Sequence, residues 1–160
     1  VTDTGSHSVK VFDGQGALVL EFGQRGSLPG ELNFPTYLWL DNDGRVLVTD
    51  ALNFRIQIYT ADGDFLGGFG QPGSRAGSMA RPKGVALDSR ENFYVLDGVF
   101  HALQVFNREG ELLLVLGKRG QDAGEFWLPT GLFIGARDTI YVADSYNKRV
   151  QVFRYVGIGQ

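Results

Sequence analysis

Cysteine is absent from this sequence of 160 residues, which also holds only two histidines and one methionine. Without cysteine the chain has no disulfide and no thiolate metal ligand, and its redox compartment is left open. Long apolar runs are missing as well, since the longest pure one is the five-residue stretch 112–116. A membrane-spanning helix requires roughly 18 apolar residues, so we expect no membrane span.

Charge is modest, and the usual catalytic motifs are missing. Charged residues make up 21% of the chain, and the formal net charge is −3. This balance gives no general attraction to nucleic acids or acidic membranes. The sequence contains no Gly-x-Ser-x-Gly elbow, no P-loop and no His-Glu-x-x-His pattern. We therefore predict no catalytic residues and no cofactor.

The chain does have abundant glycine, 23 residues in all, and an internal repeat. Asp3, Asp50, Asp97 and Asp144 each end an apolar stretch and follow one another at intervals of 47 residues. The segments around them align without gaps: 9–16, 56–63, 103–110 and 150–157. Such a period is typical of propellers and solenoids, in which each repeat is one supersecondary unit.

Each repeat is predicted to contain four short strands. Alternating apolar residues are separated by Asn-Asp-Gly and Asp-Gly turns, which are strong hairpin signals. Glycine-rich connectors that end in proline separate the repeats. We predict an all-β protein, a β-propeller of four-stranded antiparallel blades. Its expected divisions are a partial blade at 1–23, whole blades at 35–70 and 82–117, and a partial blade at 129–160.

The repeat resembles a known family. PTGLFI at 129–134 followed by YVADSYNKRVQVF at 141–153 is similar to the NHL repeat, and 48–59 and 82–88 also fit its pattern. The resemblance implies a propeller of the six-bladed type, present here as an incomplete set of blades. The Asn-x-Arg element of the motif occurs in two copies, Asn53/Arg55 and Asn147/Arg149. It is Ser6/Ser8 and Phe100/Ala102 in the others, so it is not needed in every blade.

The repeated aspartates allow two interpretations. An aspartate that ends a strand before a turn hydrogen-bonds nearby backbone N–H groups. In two blades an arginine five residues later is placed to pair with it, which makes Asp50, Arg55, Asp144 and Arg149 a structural blade motif. The alternative is a metal-binding or catalytic carboxylate. Identical placement in every blade argues against it, because a catalytic site requires one asymmetric group of residues.

His7 and His101 occupy the same turn position two repeats apart. The family resemblance implies a relation to propeller lyases that hold zinc with several histidines. Zinc requires three or four protein ligands, and two histidines without cysteine are too few unless carboxylates complete the site. We predict no metal site and interpret both as turn residues at the surface.

The propeller geometry implied by the family places the connectors 26–36, 73–83 and 120–130 on one rim, together with the turn between the second and third strands. Function is often carried by loops on a rigid scaffold. Aromatic residues and arginine are enriched at binding hot spots. The candidate binding residues of this rim are Phe34, Arg81, Phe126, Trp127, Phe54, His101 and Lys148. For Phe126 a second interpretation stays open, in which it fills the gap between blades like Leu32 and Met79.

The function predicted from the sequence is a noncatalytic scaffold that binds another protein through this rim. One alternative is a metal-dependent lyase- or lactonase-like enzyme. Another is RNA binding, suggested by Arg75, Arg81 and Lys83 in a connector without acidic residues. RNA binding is not favoured, because phosphate contacts require a broader basic stripe. The compartment stays open, although the resemblance favours an extracytoplasmic location.

The repeats at the two ends of the sequence each lack a strand, so we expect an open ring. Open sheet edges and unpaired blade faces are prone to association. We therefore predict that a second copy, or further chain, completes the ring. In the first case the protein is an oligomer.

Overall fold

The computed structural model describes residues 1–154. This part of the chain forms fourteen β-strands in four antiparallel sheets. The final segment of the last predicted repeat, 155–160, lies outside the described residues. The blade boundaries assigned from the repeat stay a prediction.

The first sheet, blade I, has three strands in the order β1-β2-β3. They are β1 (Thr2–Asp3), β2 (Ser8–Phe12) and β3 (Leu18–Phe22). Blade II has four strands in the order β4-β5-β6-β7. They are β4 (Pro35–Leu40), β5 (Val46–Asp50), β6 (Arg55–Tyr59) and β7 (Phe65–Phe69).

Blade III repeats the four-stranded meander with β8 innermost. Its strands are β8 (Pro82–Leu87), β9 (Phe93–Asp97), β10 (Ala102–Phe106) and β11 (Leu112–Leu116). Blade IV has three described strands, β12 (Gly131–Gly135), β13 (Thr139–Asp144) and β14 (Arg149–Arg154). The predicted all-β, propeller-like architecture with two four-stranded and two shorter blades is confirmed. Residues 1–154 form an open row of blades rather than a closed ring.

The turns that contain Asp62-Gly63 and Glu109-Gly110 close the outer hairpins of blades II and III, and their glycines also let neighbouring blades approach. Gly63 has a φ of +88°, which L side chains rarely adopt. A Cβ added there would lie 2.8 Å from the ring of Phe22 in the preceding blade. Gly110 repeats this arrangement against Phe69, with a φ of +80° and a Cβ distance of 2.9 Å. The turn chemistry and the spacing of the blades therefore depend on the same residues.

The hydrophobic core lies between the blades. Strand residues alternate, so one face of each blade packs on the blade before it and the other face on the blade after it. Three buried clusters fill the three junctions, and Val9, Ile56 and Leu103 are examples from successive copies of one repeat position. The outermost strands β3, β7 and β11 expose most of their residues. Each blade therefore depends on its neighbours for burial.

Short 3-10 turns at Ala51–Asn53 and Ala136–Asp138 are the helical segments of the described chain. In residues 1–154 no helix has the length and apolarity needed to cross a membrane.

The strand order gives the molecule two distinct faces. We call one the connector face; it comprises the connectors 23–34, 70–81 and 117–128 and the turns 4–7, 51–54, 98–101 and 145–148. Backbone bonds join these segments, as from Leu52 N–H to the Asn33 carbonyl and from Tyr146 N–H to the Trp127 carbonyl. The opposite turn face comprises the hairpin turns 13–17, 41–45, 60–64, 88–92, 107–111 and 135–139.

Candidate binding surface

The aspartate that ends β5 organises the connector face at blade II. Asp50 is fully buried. One of its carboxylate oxygens accepts a bond from Asn33 N–H at 2.6 Å, and the other accepts bonds from Asn53, Arg55 and Gln57 at 2.8, 2.8 and 3.2 Å. Asp144 repeats the set in blade IV with Trp127 N–H, Asn147, Arg149 and Gln151. These carboxylates tie the connector to the blade.

Blade III lacks the Asn-x-Arg element and satisfies its aspartate differently. Asp97 is also fully buried. It accepts four backbone N–H bonds, from Ala80 and Arg81 of the connector and from Val99 and Phe100 of its own turn, at 2.8 to 3.0 Å. The carboxylate is therefore needed in this position even where the arginine is not.

These bonds leave the buried aspartates little capacity to bind anything else. An ionised carboxylate offers about four acceptor sites, and Asp50, Asp97 and Asp144 each accept four hydrogen bonds. Burial acts to raise the pKa of Asp144, but the bonds from Trp127 N–H, Asn147, Arg149 and Gln151 outweigh it and the net pKa is lowered. Within residues 1–154 no group of three or more His, Cys, Asp or Glu is placed to hold a metal ion.

The two blade arginines act as clamps on the connectors. Besides its ion pair with Asp50 at 2.8 Å, Arg55 donates to the carbonyls of Ser27, Leu28 and Glu31. Arg149 pairs with Asp144 at 2.8 Å and donates to the carbonyls of Asp122 and Glu125. These contacts satisfy connector carbonyls that the strands do not reach.

The histidines have a related role. The Nδ1 of His7 accepts the Phe34 N–H bond at 3.1 Å, and the Nδ1 of His101 accepts the Leu128 N–H bond at 3.0 Å. Phe34 and Leu128 have positive φ values of 59° and 47°. At the corresponding position of blade II stands Phe54, which has no acceptor, and Arg81 N–H bonds Asp97 instead. The last connector residue therefore has a positive φ where a histidine accepts its N–H bond, and not at Arg81, where Asp97 accepts it.

The predicted rim residues divide into exposed and buried ones. Phe34 is 45% exposed, and Arg81 and Lys148 are also exposed on the connector face. Trp127 is half-buried; its ring lies 5.7 Å from the ring of Tyr146, and the Arg119 guanidinium lies 5.4 Å from its centroid. Phe34, Arg81, Trp127 and Lys148 therefore share the connector face, though in different blades.

Phe126 is a core residue, which corrects its prediction as a binding residue of the rim and agrees with the second interpretation. It is fully buried in the cluster between blades III and IV, and its ring packs edge-on against Phe153. Leu32 and Met79 at the same repeat position are fully buried too, because one apolar side chain fills each junction between blades. Phe54 is half-buried and packs against the cluster between blades II and III. His101 is half-buried and bonds the connector, as described above.

Sequence reasoning missed a row of exposed apolar residues on this face. Leu52, Val99 and Tyr146 occupy the same repeat position and are 54%, 49% and 62% exposed. They lie at the tips of the turns after the buried aspartates. Their apolar character in three copies of a polar turn is the signal that could have identified them.

A cavity of about 790 Å³ lies on the opposite, turn face. Trp39 and Phe133 contribute aromatic walls, with ring centroids 5.7 Å apart. Its charged groups bind one another: Arg45 pairs with Asp41 at 2.6 Å, and Ser89 donates to both carboxylate oxygens of Asp138. No candidate residue predicted from the sequence lines it.

Comparison with known proteins supports the identification of the repeat. Residues 126–153 match the NHL repeat family model. The match covers blade IV, the copy in which the motif is most complete. The recognition of NHL-type repeats is thereby confirmed. No curated protein matches the sequence.

Solved structures resemble the fold. Virginiamycin B lyase from Staphylococcus aureus is similar with a TM-score of 0.65 and 16% identity, over 99% of this chain and 52% of that one. Its catalytically inactive variant with quinupristin gives a TM-score of 0.64 at 12% identity, over 97% and 51%. A gluconolactonase from Xanthomonas campestris gives 0.54 at 15% identity, over 69% and 34%.

At these identities the likeness shows the fold alone. The fold it shows is the β-propeller, and residues 126–153 match an NHL repeat within it. The chain spans about half the length of virginiamycin B lyase.

Proposed function

We propose that the chain is a noncatalytic propeller scaffold whose connector face binds another protein. The observation that carries this proposal is the set of exposed apolar and aromatic side chains on that face: Phe34, Leu52, Val99 and Tyr146. Scattered apolar residues on a surface need no explanation, but Leu52, Val99 and Tyr146 occupy one repeat position, and Phe34 lies on the same face. The framework beneath them is rigid, because buried aspartates, glutamines and arginines bond the connectors to the blades.

Trp127 and Phe34 are the residues to test. Aromatic and arginine side chains dominate protein interfaces energetically, and Trp127 lies between Arg119 and Tyr146. We expect Trp127→Ala and Phe34→Ala to retain the melting temperature of the parent protein and to lose partner capture from a native extract. The matched control is Leu40→Ala, an exposed apolar residue on the turn face.

The decisive result is whether partner capture depends on the connector face or on the turn face. Capture that needs Trp127 and Phe34 but not Leu40 supports the connector face as the interface. The proposal is overturned if Leu40→Ala abolishes capture and the other two variants do not. A lower melting temperature with unchanged capture for Trp127→Ala would make that residue part of the core.

The open face of blade IV supports the proposal that another blade completes the ring. Phe133, Tyr141, Val150 and Val152 are 54%, 39%, 63% and 58% exposed. At the corresponding positions of blade III stand Ala86, Tyr94, Leu103 and Val105, all buried against blade IV. An exposed face with the pattern of a blade junction fits a further blade of the same repeat, from a second copy or from additional chain.

Light scattering at micromolar concentration tests the second-copy form. We expect the chain to associate, and Val150→Asp to abolish the association because it places a charge on the open face, where Val150 is 63% exposed. Leu114→Asp on the outer strand β11, where the residue is 50% exposed, is the control and should have no effect. A stable monomer would exclude completion by a second copy.

A lyase- or lactonase-like activity is the second candidate. It is favoured by the likeness to virginiamycin B lyase and to a gluconolactonase. Turnover of a streptogramin B or of a sugar lactone by the purified chain, with metal content measured in the same sample, tests it. Activity that survives Phe34→Ala and Trp127→Ala would separate it from the binding function.

A further inference from the structure

The two faces of the molecule differ in charge. The six hairpin turns of the turn face contain ten acidic and four basic residues. On the connector face, by contrast, five cations form no ion pair within residues 1–154: Arg25, Arg75, Arg81, Arg119 and Lys148. Lys83, beside this face at the start of β8, is a sixth. Charge is therefore segregated although the net charge of the chain is only −3.

Among the acids of the connector face in residues 1–154, only Asp122 is exposed without an ion pair, and one carboxylate cannot cancel six cations. Asp50, Asp97 and Asp144 are fully buried, and their oxygens are occupied by hydrogen bonds. Glu31 folds back onto its own connector, where it accepts the Leu28 N–H bond at 3.0 Å. Glu125 accepts the Asp122 N–H bond and pairs with Lys118 at 3.2 Å. The cations remain available to a partner.

The acidic turn face is too distant to neutralise them. Strands of five residues separate the two faces by about 16 Å, at roughly 3.3 Å per residue. The Debye length at physiological salt is about 8 Å, so a ligand at one face is shielded from most of the field of the other. A ligand at the connector face therefore encounters mainly positive charge.

The densest cationic group is on the connector before blade III. Arg75 and Arg81 are exposed, and Lys83 is half-buried at the start of β8. Burial lowers the pKa of Lys83, and the like charge of Arg81 lowers it further. An anion bound beside both side chains would relieve this repulsion.

We propose that the partner of the connector face is an acidic protein segment, rich in Asp and Glu and carrying apolar side chains. This inference rests on the proposed function and adds the chemistry of the partner. The cations attract its carboxylates, and the adjoining apolar residues, among them Phe34, Leu52 and Tyr146, contact its apolar side chains. A protein segment fits better than RNA, because the ring of Trp127 already lies against Tyr146 and Arg119 rather than forming an open stacking platform.

Fluorescence anisotropy with labelled oligoglutamate, oligolysine and oligouridylate tests the proposal. We expect oligoglutamate to bind at low ionic strength and to dissociate as salt is added, while oligolysine does not compete at that site. The double variant Arg81→Gln/Lys83→Gln should weaken oligoglutamate binding about fivefold, since each exposed charge contact is worth roughly 0.5 kcal/mol. Arg137→Gln/Arg154→Gln removes the same charge outside the connector face and should leave binding unchanged.

Three results would overturn the acidic partner: no oligoglutamate binding by the parent protein, an equal loss in the control variant, or tighter binding of oligouridylate. The proposed function is tested separately. If oligoglutamate does not bind but protein capture still depends on Trp127 and Phe34, the connector face remains the interface and only the acidic character of the partner is excluded.

Discussion

Blades III and IV have the same strand pattern but different surroundings. Blade III lies between two neighbours, and all five residues of β10 are buried. In blade IV the corresponding strand β14 alternates between half-buried and exposed residues. Blade III lacks the Asn-x-Arg element, whereas blade IV has it and uses Arg149 to clamp its connector. The burial of a blade is therefore set by its neighbouring blades, whereas the attachment of its connector is set by the residues of the motif.

A matched pair of valines gives the largest expected contrast. Val105 is 6% exposed and Val152, at the same repeat position, is 58% exposed. We expect Val105→Ala to lower the free energy of unfolding by about 2 kcal/mol, from lost apolar burial and the cavity left behind. At protein concentrations too low for the chain to associate, Val152→Ala should cost less than about 0.5 kcal/mol, as for most surface substitutions. Chemical denaturation measures both.

The two valine variants also test whether another blade covers the open face of blade IV. Equal losses for Val105→Ala and Val152→Ala would mean that the open face of blade IV is covered in solution. The measurement should be made at two protein concentrations, because cover by a second copy depends on concentration while cover within one chain does not.

The arginine clamps should have the next largest effect. We expect Arg55→Ala and Arg149→Ala each to lower the free energy of unfolding by roughly 1–2 kcal/mol, because a charged hydrogen bond to a buried carboxylate is lost. Thermal melts measure the change. Arg137→Ala, an exposed arginine of the turn face, is the control. Loss of partner binding at an unchanged melting temperature would instead make the clamps part of the binding surface.

Connector attachment can be compared by limited proteolysis. Connector 117–128 receives side-chain bonds from Asn147, Arg149 and Gln151 in addition to Asp144, whereas blade III bonds connector 70–81 through Gln104 and Asp97. Trypsin should therefore cleave after Arg75 several-fold faster than after Arg119, because local opening is easier where fewer bonds hold the backbone. Mass spectrometry of early fragments identifies the sites. Faster cleavage after Arg119 would contradict the assigned role of the clamps.

The smallest expected effect is a pH dependence at His101. Burial lowers the pKa of His101, and Arg119 lowers it further, against the opposing charges of Asp97 and Asp144. A depressed pKa in the folded state means that the unfolded chain binds the proton more readily. Stability should therefore be complete above about pH 6.5, the unperturbed value, and fall as the pH drops below it. The protonated ring also cannot accept the Leu128 N–H bond.

Melting temperatures of the parent protein and His101→Gln between pH 7.5 and pH 5.5 measure this effect. The parent should lose more stability than the variant over that interval. Parallel pH profiles would show that His101 does not contribute. Every other ionisable group is present in both proteins, so the difference between the two pH profiles isolates the contribution of His101.

Several features follow from the sequence by itself because they are local or repeated. The interval of 47 residues, the Asp-Gly turns and the alternation of apolar residues predict four-stranded blades. The motif also indicates which side chains belong together, since Asp50 and Arg55 face each other across one hairpin. The number of residues in the hairpin turn and the alternation along its strands fix such contacts before the blades pack together.

Other features were decided by the tertiary structure. Phe126 fills a junction between blades, and its neighbour Trp127 lies at the surface. The sequence could not distinguish the two, because only the packing of the next blade decides which of two adjacent aromatic side chains is buried. Asp97 likewise lacks its motif partners, and only the folded connector shows that the N–H groups of Ala80 and Arg81 replace them. The segregation of charge between the faces arises in the same way, since antiparallel strands bring turns of distant sequence to one end of the blades.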